Sequence, residues 1–136
     1  MFTLKIITPK KVVREQEISG LSIPTPRGEI TILPKHQPLF SLLVEGIVKI
    51  IMGEKEEFLA VGGGYAETDG KQVHLLVSRA YGQDEIDEKL TEKALISAKQ
   101  ILKDTKDQKI QSEAAITVRR SVIDLKLLKK KKQRTI

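Results

Sequence analysis

Between Thr3 and Val77, apolar and β-branched residues come in runs of five to eight, each stopped by a turn signal. The runs predict nine strands: Thr3–Thr8, Lys11–Ile18, Ser19–Pro24, Glu29–Leu33, Leu39–Val44, Gly46–Met52, Lys55–Val61, Gly64–Thr68 and Gln72–Val77. Turn signals recur about every eight to twelve residues, the spacing of a sandwich or barrel. Asp69-Gly70 is a two-residue hairpin signal, because both residue types tolerate positive φ. No helical period separates the strands, so parallel crossovers are not expected and two packed antiparallel sheets are. Past Gly82 the period changes. Leu90, Ala94, Ala98, Ile101 and Leu102 recur at helical spacing with Leu95 beside them, and Asp84 or Asp87 offers a cap. A polar stretch, Lys103–Lys106, should end that helix. A second follows with Ile110, Ala114, Val118, Val122 and Leu125 on one face, flanked by Ala115, Ile123 and Leu127. Alanine-rich faces favour close packing of the two as an antiparallel hairpin.

Composition sharpens the boundary. All nine glycines, all five prolines and all five aromatics lie at or before Gly82. Glycine and proline set turns and are excluded from helix interiors, so the chain divides into a turn-rich β part, residues 1–84, and a helical part, residues 85–136. The fold class is α+β: an N-terminal antiparallel β-sandwich followed by a C-terminal two-helix antiparallel hairpin. Two light apolar stripes bury little area, so the hairpin should be marginal alone and held by docking.

Charge divides at nearly the same place. Residues 1–84 hold ten Lys/Arg and ten Asp/Glu, so the excess of +6 belongs to the remainder. From Arg119 onward there are eight basic residues and one acid, Asp124. Such an end suits an acidic partner: nucleic acid, anionic lipid or an acidic protein surface. With no cysteine, disulfides and thiolate metal sites are excluded. No apolar run approaches the ~20 residues of a membrane span. The start of the chain lacks the basic-then-apolar layout of a signal peptide, and an unexported protein able to work at a membrane surface is expected.

Reactive constellations are missing. Gly62-Gly63-Gly64 is followed by a hairpin, not by the helix start a phosphate loop needs, so it reads as a bulge or a close backbone approach. His74 sits inside an apolar strand, and His36 lies in the proline-bounded turn Pro34-Lys35-His36-Gln37-Pro38. No nucleophile elbow, HExxH or EF-hand loop is present. The expectation is no enzyme, no metal and no cofactor.

The most specific segment runs from Gly28 to Gly46 and contains Gly28-Glu29, Leu33-Pro34-Lys35-His36-Gln37-Pro38-Leu39 and Leu43-Val44-Glu45-Gly46. It resembles the ε subunit of F-type ATP synthase. The resemblance extends to Leu4–Pro9, Val61–Glu67, Val73–Val77 and Asp84–Asp87; it is strong over residues 1–87 and architectural beyond. It implies a sandwich of about ten strands and two helices, in a non-catalytic rotor subunit. The sandwich would grip the γ subunit and rest on the c-ring, at the cytoplasmic face of a bacterial plasma membrane. By that resemblance Glu29 faces the c-ring, and His36, Pro38 and Leu39 lie at the γ contact. Thr31 and Lys35 stand where glycine is common.

The same resemblance makes the helical part an inhibitory arm, extending toward the catalytic α and β subunits. Arg119, Arg120, Lys126, Lys129, Lys130, Lys131 and Lys132, with Arg134 beyond them, would meet an acidic stretch on β. Some members of the family bind ATP through an Ile/Leu-Asp-x-x-Arg-Ala motif. This chain keeps Ile86-Asp87, but Leu90 and Thr91 occupy the arginine and alanine positions. The phosphate-pairing cation is therefore lost, unless Lys89 or Lys93 supplies a point charge. The rival reading is a nucleic-acid-binding module with a basic helical tail; no aromatic accompanies the basic run for base stacking, so no nucleic acid is expected.

Overall fold

The computed structural model describes residues 1–130, which divide into two compact units, Met1–Gly82 and Gln83–Lys130. The first contains ten strands: β1 (Phe2–Ile7), β2 (Val12–Ile18), β3 (Gly20–Thr25), β4 (Gly28–Ile32), β5 (Leu39–Leu43), β6 (Gly46–Met52), β7 (Lys55–Val61), β8 (Gly64–Thr68), β9 (Gln72–Val77) and β10 (Ala80–Tyr81). They form two five-stranded sheets, ordered β2-β1-β9-β8-β5 and β10-β7-β6-β3-β4. Nine of the ten follow the sequence pattern; β10 has two residues, too few to show a period.

One pair departs from the antiparallel expectation. β1 and β9 run parallel, with Thr3 opposite Gln72 and Ile7 opposite Leu76. No helix crosses between them; the chain returns through seven other strands. A parallel neighbour this distant in sequence leaves no local pattern.

Burial alternates along β1 and β9 as the pleat requires, while β3 is buried on both faces along most of its length. Phe2, Leu4 and Ile6 of β1 point into the sandwich, as do Val73, Leu75 and Val77 of β9. Ile18, Leu21, Ile23, Ile32, Val48, Ile50, Leu59 and Val61 fill the rest. Each large aliphatic side chain, fully buried, contributes about 1.5–3 kcal/mol, and these residues form one contiguous core. Arg14 on β2 ties one sheet to the other, donating through both terminal nitrogens to Glu57 on β7 at 2.7 and 2.6 Å. That bidentate pairing raises the Arg14 pKa further above its ordinary value.

The glycine triple is a packing device. A Cβ on Gly64 would overlap the carbonyl group of Leu76 on the neighbouring strand, so only glycine lets β8 approach β9 there.

In the second unit, a 3₁₀ turn (Gln83–Glu85) precedes α1 (Glu88–Asp104) and α2 (Gln108–Leu128). The helices pack against each other as an antiparallel hairpin. Asp87 caps α1 by accepting from the Leu90 amide at 3.0 Å, and Asp107 caps α2 by accepting from Lys109 and Ile110. The Gln83 side chain donates to the carbonyls of Leu127 and Lys130, each at 2.7 Å. The predicted stripes hold in part: Ala98, Ala114 and Leu127 are buried as expected, and Ser121 joins them. Leu90, Ile101, Ile110 and Val122 are exposed. Small residues permit close approach at Ala98, Ala114 and Ser121, while Leu127 is the one large aliphatic fully buried among the described helical residues. Among the described residues no helix is long and apolar enough to cross a membrane.

Candidate functional site

The segment singled out by its prolines leaves the end of β4 and crosses to β5, from an edge of one sheet to an edge of the other. Backbone bonds hold its shape. His36 N–H donates to the Leu33 carbonyl at 3.1 Å, closing a turn, and Lys35 N–H donates to the Gly70 carbonyl at 3.0 Å. Lys35 takes φ of +66°, a left-handed conformation that costs a side-chain-bearing residue about 1–2 kcal/mol. This explains physically why glycine suits the position. Bracing comes from the β8–β9 connection, where Gly70 at φ +91° passes beneath the loop.

The expected hairpin forms between β8 and β9, but its turn differs from the two-residue type. Asp69, Gly70 and Lys71 all lie outside the strands, and only Gly70 adopts positive φ. Asp69 instead accepts from the Lys71 and Gln72 amides, each at 2.9 Å. The Gln72 and Lys71 amides hold its carboxyl below the usual carboxylate range. Thr68 Oγ1 also accepts from the Gly70 amide at 3.1 Å. The loop therefore rests on a turn that is itself hydrogen-bonded at each step.

His36 is half-buried, with Nδ1 2.7 Å from the Gln37 carbonyl oxygen; Pro38 is exposed and Leu39, the first residue of β5, half-buried. These three share one loop-to-strand segment. Glu29 stands apart from them: it is exposed at the start of β4, opposite Pro24, while the His36 loop follows that strand's other end.

Sequence reasoning missed the largest exposed feature of this region. Phe40 and Leu42 of β5 are 63% and 60% exposed, and Val44, just past the strand, and Tyr65, opposite Leu42 on β8, are exposed as well. The Phe40 and Tyr65 rings lie 5.1 Å apart, tilted by 32°. From Leu39 to Val44 both faces of the strand are apolar except at Ser41. That pattern reads equally as a fully buried strand, and only the topology shows that β5 is an edge. An exposed apolar stripe of this kind marks an interaction site.

Other candidates resolve more simply. His74 is half-buried, its Nε2 3.2 Å from Gln72 Oε1 and its Nδ1 3.6 Å from Glu67 Oε1, above a shallow depression also lined by Thr68 and Asp69. Among the described residues no group of three or more His, Asp or Glu could hold a metal ion. The Asp87 carboxylate is engaged as the α1 cap. Arg119, Arg120 and Lys126 are exposed on α2, followed by exposed Lys129 and Lys130. Lys131, Lys132 and Arg134 lie outside the described residues.

Residues 1–83 match the family described as ATP synthase, Delta/Epsilon chain, beta-sandwich domain. The chain is 31% identical over 131 residues to an ATP synthase epsilon chain of Herpetosiphon aurantiacus, covering 96% of each. It is 33% identical over 102 residues to an ATP synthase epsilon chain of Synechocystis sp., covering 75% of each. Among solved structures, a chain of the Euglena gracilis mitochondrial ATP synthase (OSCP/F1/c-ring) superposes with a TM-score of 0.82 at 23% identity, over 92% of this chain and 79% of that one. That last likeness is one of fold.

Proposed function

The chain belongs to the ATP synthase delta/epsilon family, and from that premise we propose that it is the non-catalytic epsilon subunit of an F-type rotor, joining γ to the c-ring and restraining ATP hydrolysis through its helices. The observation that carries the reading is the exposed apolar stripe of β5, continuous with the pre-ordered Leu33–Pro38 loop. Two prolines, two backbone–backbone hydrogen bonds and the Gly70 amide's bond to Thr68 Oγ1 in the supporting turn limit the ordering cost of binding there. A large apolar anchor next to a fixed polar loop suits a lasting protein contact. His36 and Pro38 join Phe40 and Leu42 in the surface offered to γ, while Leu39, packed against the core, anchors the strand that carries it. Glu29, exposed at the opposite end of β4, is free of that surface and is assigned to the polar loops of the c-ring. The assembly is peripheral, at the cytoplasmic face of a bacterial membrane.

The helical unit supplies the brake. Its buried residues are two alanines, a serine and a single large aliphatic, Leu127, so little apolar area holds the two helices together. Arrangements differing by a few kcal/mol are then within reach of a partner's bias. Arg119, Arg120, Lys126, Lys129, Lys130 and the lysines that follow face an acidic stretch of the catalytic β subunit. Exposed pairs contribute about 0.2–1 kcal/mol each, so several acting together reach that range.

Co-expression with a γ subunit tests the grip. The natural chain is expected to retain γ through purification, whereas the Phe40→Glu, Leu42→Glu variant releases it; retention by that variant would overturn the assignment. Deleting residues 119–136 tests the brake. The complex should assemble and hydrolyse ATP faster, and unchanged hydrolysis would remove the inhibitory role while leaving the grip standing.

A further inference from the structure

Four strands end the two sheets, and three of them are protected against pairing with another chain. β2 carries Arg14, Glu15 and Glu17, β4 presents exposed Glu29, and β10 is two residues long. Charge and shortness are the usual defences of an open edge. β5 has neither. Its five residues, Leu39–Leu43, carry no charge, and among the described residues β8 is its only ladder partner.

We propose that in the unassembled subunit β5 pairs antiparallel with β5 of a second copy, about a two-fold axis at Ser41, joining the two five-stranded sheets edge to edge. This inference stands apart from the γ assignment and needs no other protein. The register follows from overlap: an axis at Ser41 pairs all five residues, with Leu39 against the partner's Leu43 and Phe40 against its Leu42. The second copy is favoured because the rows it creates are complementary. On β8, Glu67 lies opposite Phe40 and Tyr65 opposite Leu42. Across the joined sheets each outward row therefore reads Glu67, Phe40, then the partner's Leu42 and the partner's Tyr65. The two Glu67 carboxylates fall in different rows, and no like charges face each other. Each Phe40 gains an aliphatic neighbour on one side and keeps its own Tyr65 at 5.1 Å. Open backbone groups along β5 gain hydrogen-bond partners in the same step.

The absence of cysteine makes the test direct. Ser41→Cys places a single thiol on the axis, facing its own copy at the Cβ separation a disulfide needs. Glu15→Cys, exposed on β2, is the control. In the full-length isolated chain at micromolar concentration, mild oxidation should cross-link Ser41→Cys at least about tenfold faster than the control, since pairing raises the local thiol concentration toward millimolar. Adding Leu42→Lys should abolish the difference. Sedimentation of the natural chain over the same range should show a monomer–dimer equilibrium that Leu42→Lys shifts to monomer. Equal cross-linking rates, cross-linking that survives Leu42→Lys, or a natural chain that sediments as monomer throughout would each overturn the proposal.

Discussion

Replacing Gly70 with alanine probes the support beneath the recognition loop. The new Cβ would lie 2.8 Å from the His36 carbonyl oxygen and 3.5 Å from Lys35 Cα. The first of these is a backbone atom that cannot swing aside. Gly70 also holds φ at +91°, a region that costs an L-residue about 1–2 kcal/mol. Moving the loop away to relieve the contact lengthens the bond from Lys35 N–H to the Gly70 carbonyl, worth about 0.5–1.5 kcal/mol. Alanine returns about 0.4–1 kcal/mol by restricting the unfolded chain. The balance is a loss of about 1–2 kcal/mol. In urea, with a slope of about 2 kcal/mol/M, the unfolding midpoint should fall by about 0.5–1 M with the slope unchanged. Capture of γ should weaken as well, since the displaced loop carries His36 and Pro38. A midpoint within about 0.2 M of the natural chain, inside the extrapolation error, would show that the loop does not rest on Gly70 as described.

Lys35→Gly removes the left-handed strain at φ +66°, returning about 1–2 kcal/mol against about 0.5–1 kcal/mol of backbone entropy, so it should stabilise the sandwich by about 0.5–1 kcal/mol; a lower midpoint refutes the strain. Asp69→Asn tests the turn through pH. The folded carboxyl titrates below its ordinary 3.8, so its charge stabilises the fold fully above that value and the benefit is lost as pH falls through the lower folded value. The natural chain should therefore exceed the variant in stability at pH 7, with the gap closing in strong acid; a gap that persists there speaks against the turn hydrogen bonds. Asp87→Ala should cost α1 about 1 kcal/mol, seen as faster amide exchange at Leu90 and Thr91, while ATP titration of natural and variant chains gives no binding heat. Heat present in the natural chain and absent in the variant would return Asp87 to a nucleotide role.

The strands were legible because each buries one face, so period-two alternation and turn residues mark them without tertiary information. The helices were legible for the same reason at period 3.6, and the α1 cap because Asp87 precedes its apolar stripe; the α2 cap, Asp107, sits in a polar stretch and was not singled out. What the sequence concealed was relational. That β1 lies beside β9, and that β5 is an edge, depends on distant segments. On α2, Ala114 and Leu127 are buried as read, but Val122 was placed inside and Ser121 was not, because hydrophobicity ranks Val122 above Ser121 whereas close helix packing selects for small size. The loop's residues were found through proline, but its support from Gly70 sits in another hairpin and carries no local signature. Lys35 shows the converse: its charge says nothing of its backbone, and only the folded structure reveals its positive φ.

The parallel pairing of β1 with β9 has a consequence for birth at the ribosome. Sixteen buried core residues span Phe2 to Val77, and the partner that flanks β1 on the side away from β2 is nearly the last strand made. At about 5–20 residues per second, β1 and β2 wait roughly 3–13 s before β9 exists. During that interval Phe2, Leu4 and Ile6 have a hairpin but no opposing sheet. Loop closure over this span also raises contact order and slows spontaneous refolding. A nascent chain halted before Gln72 should therefore be protease-sensitive throughout, and one released past Val77 should become resistant in a single step, the sandwich closing as a unit from its first strand to its ninth.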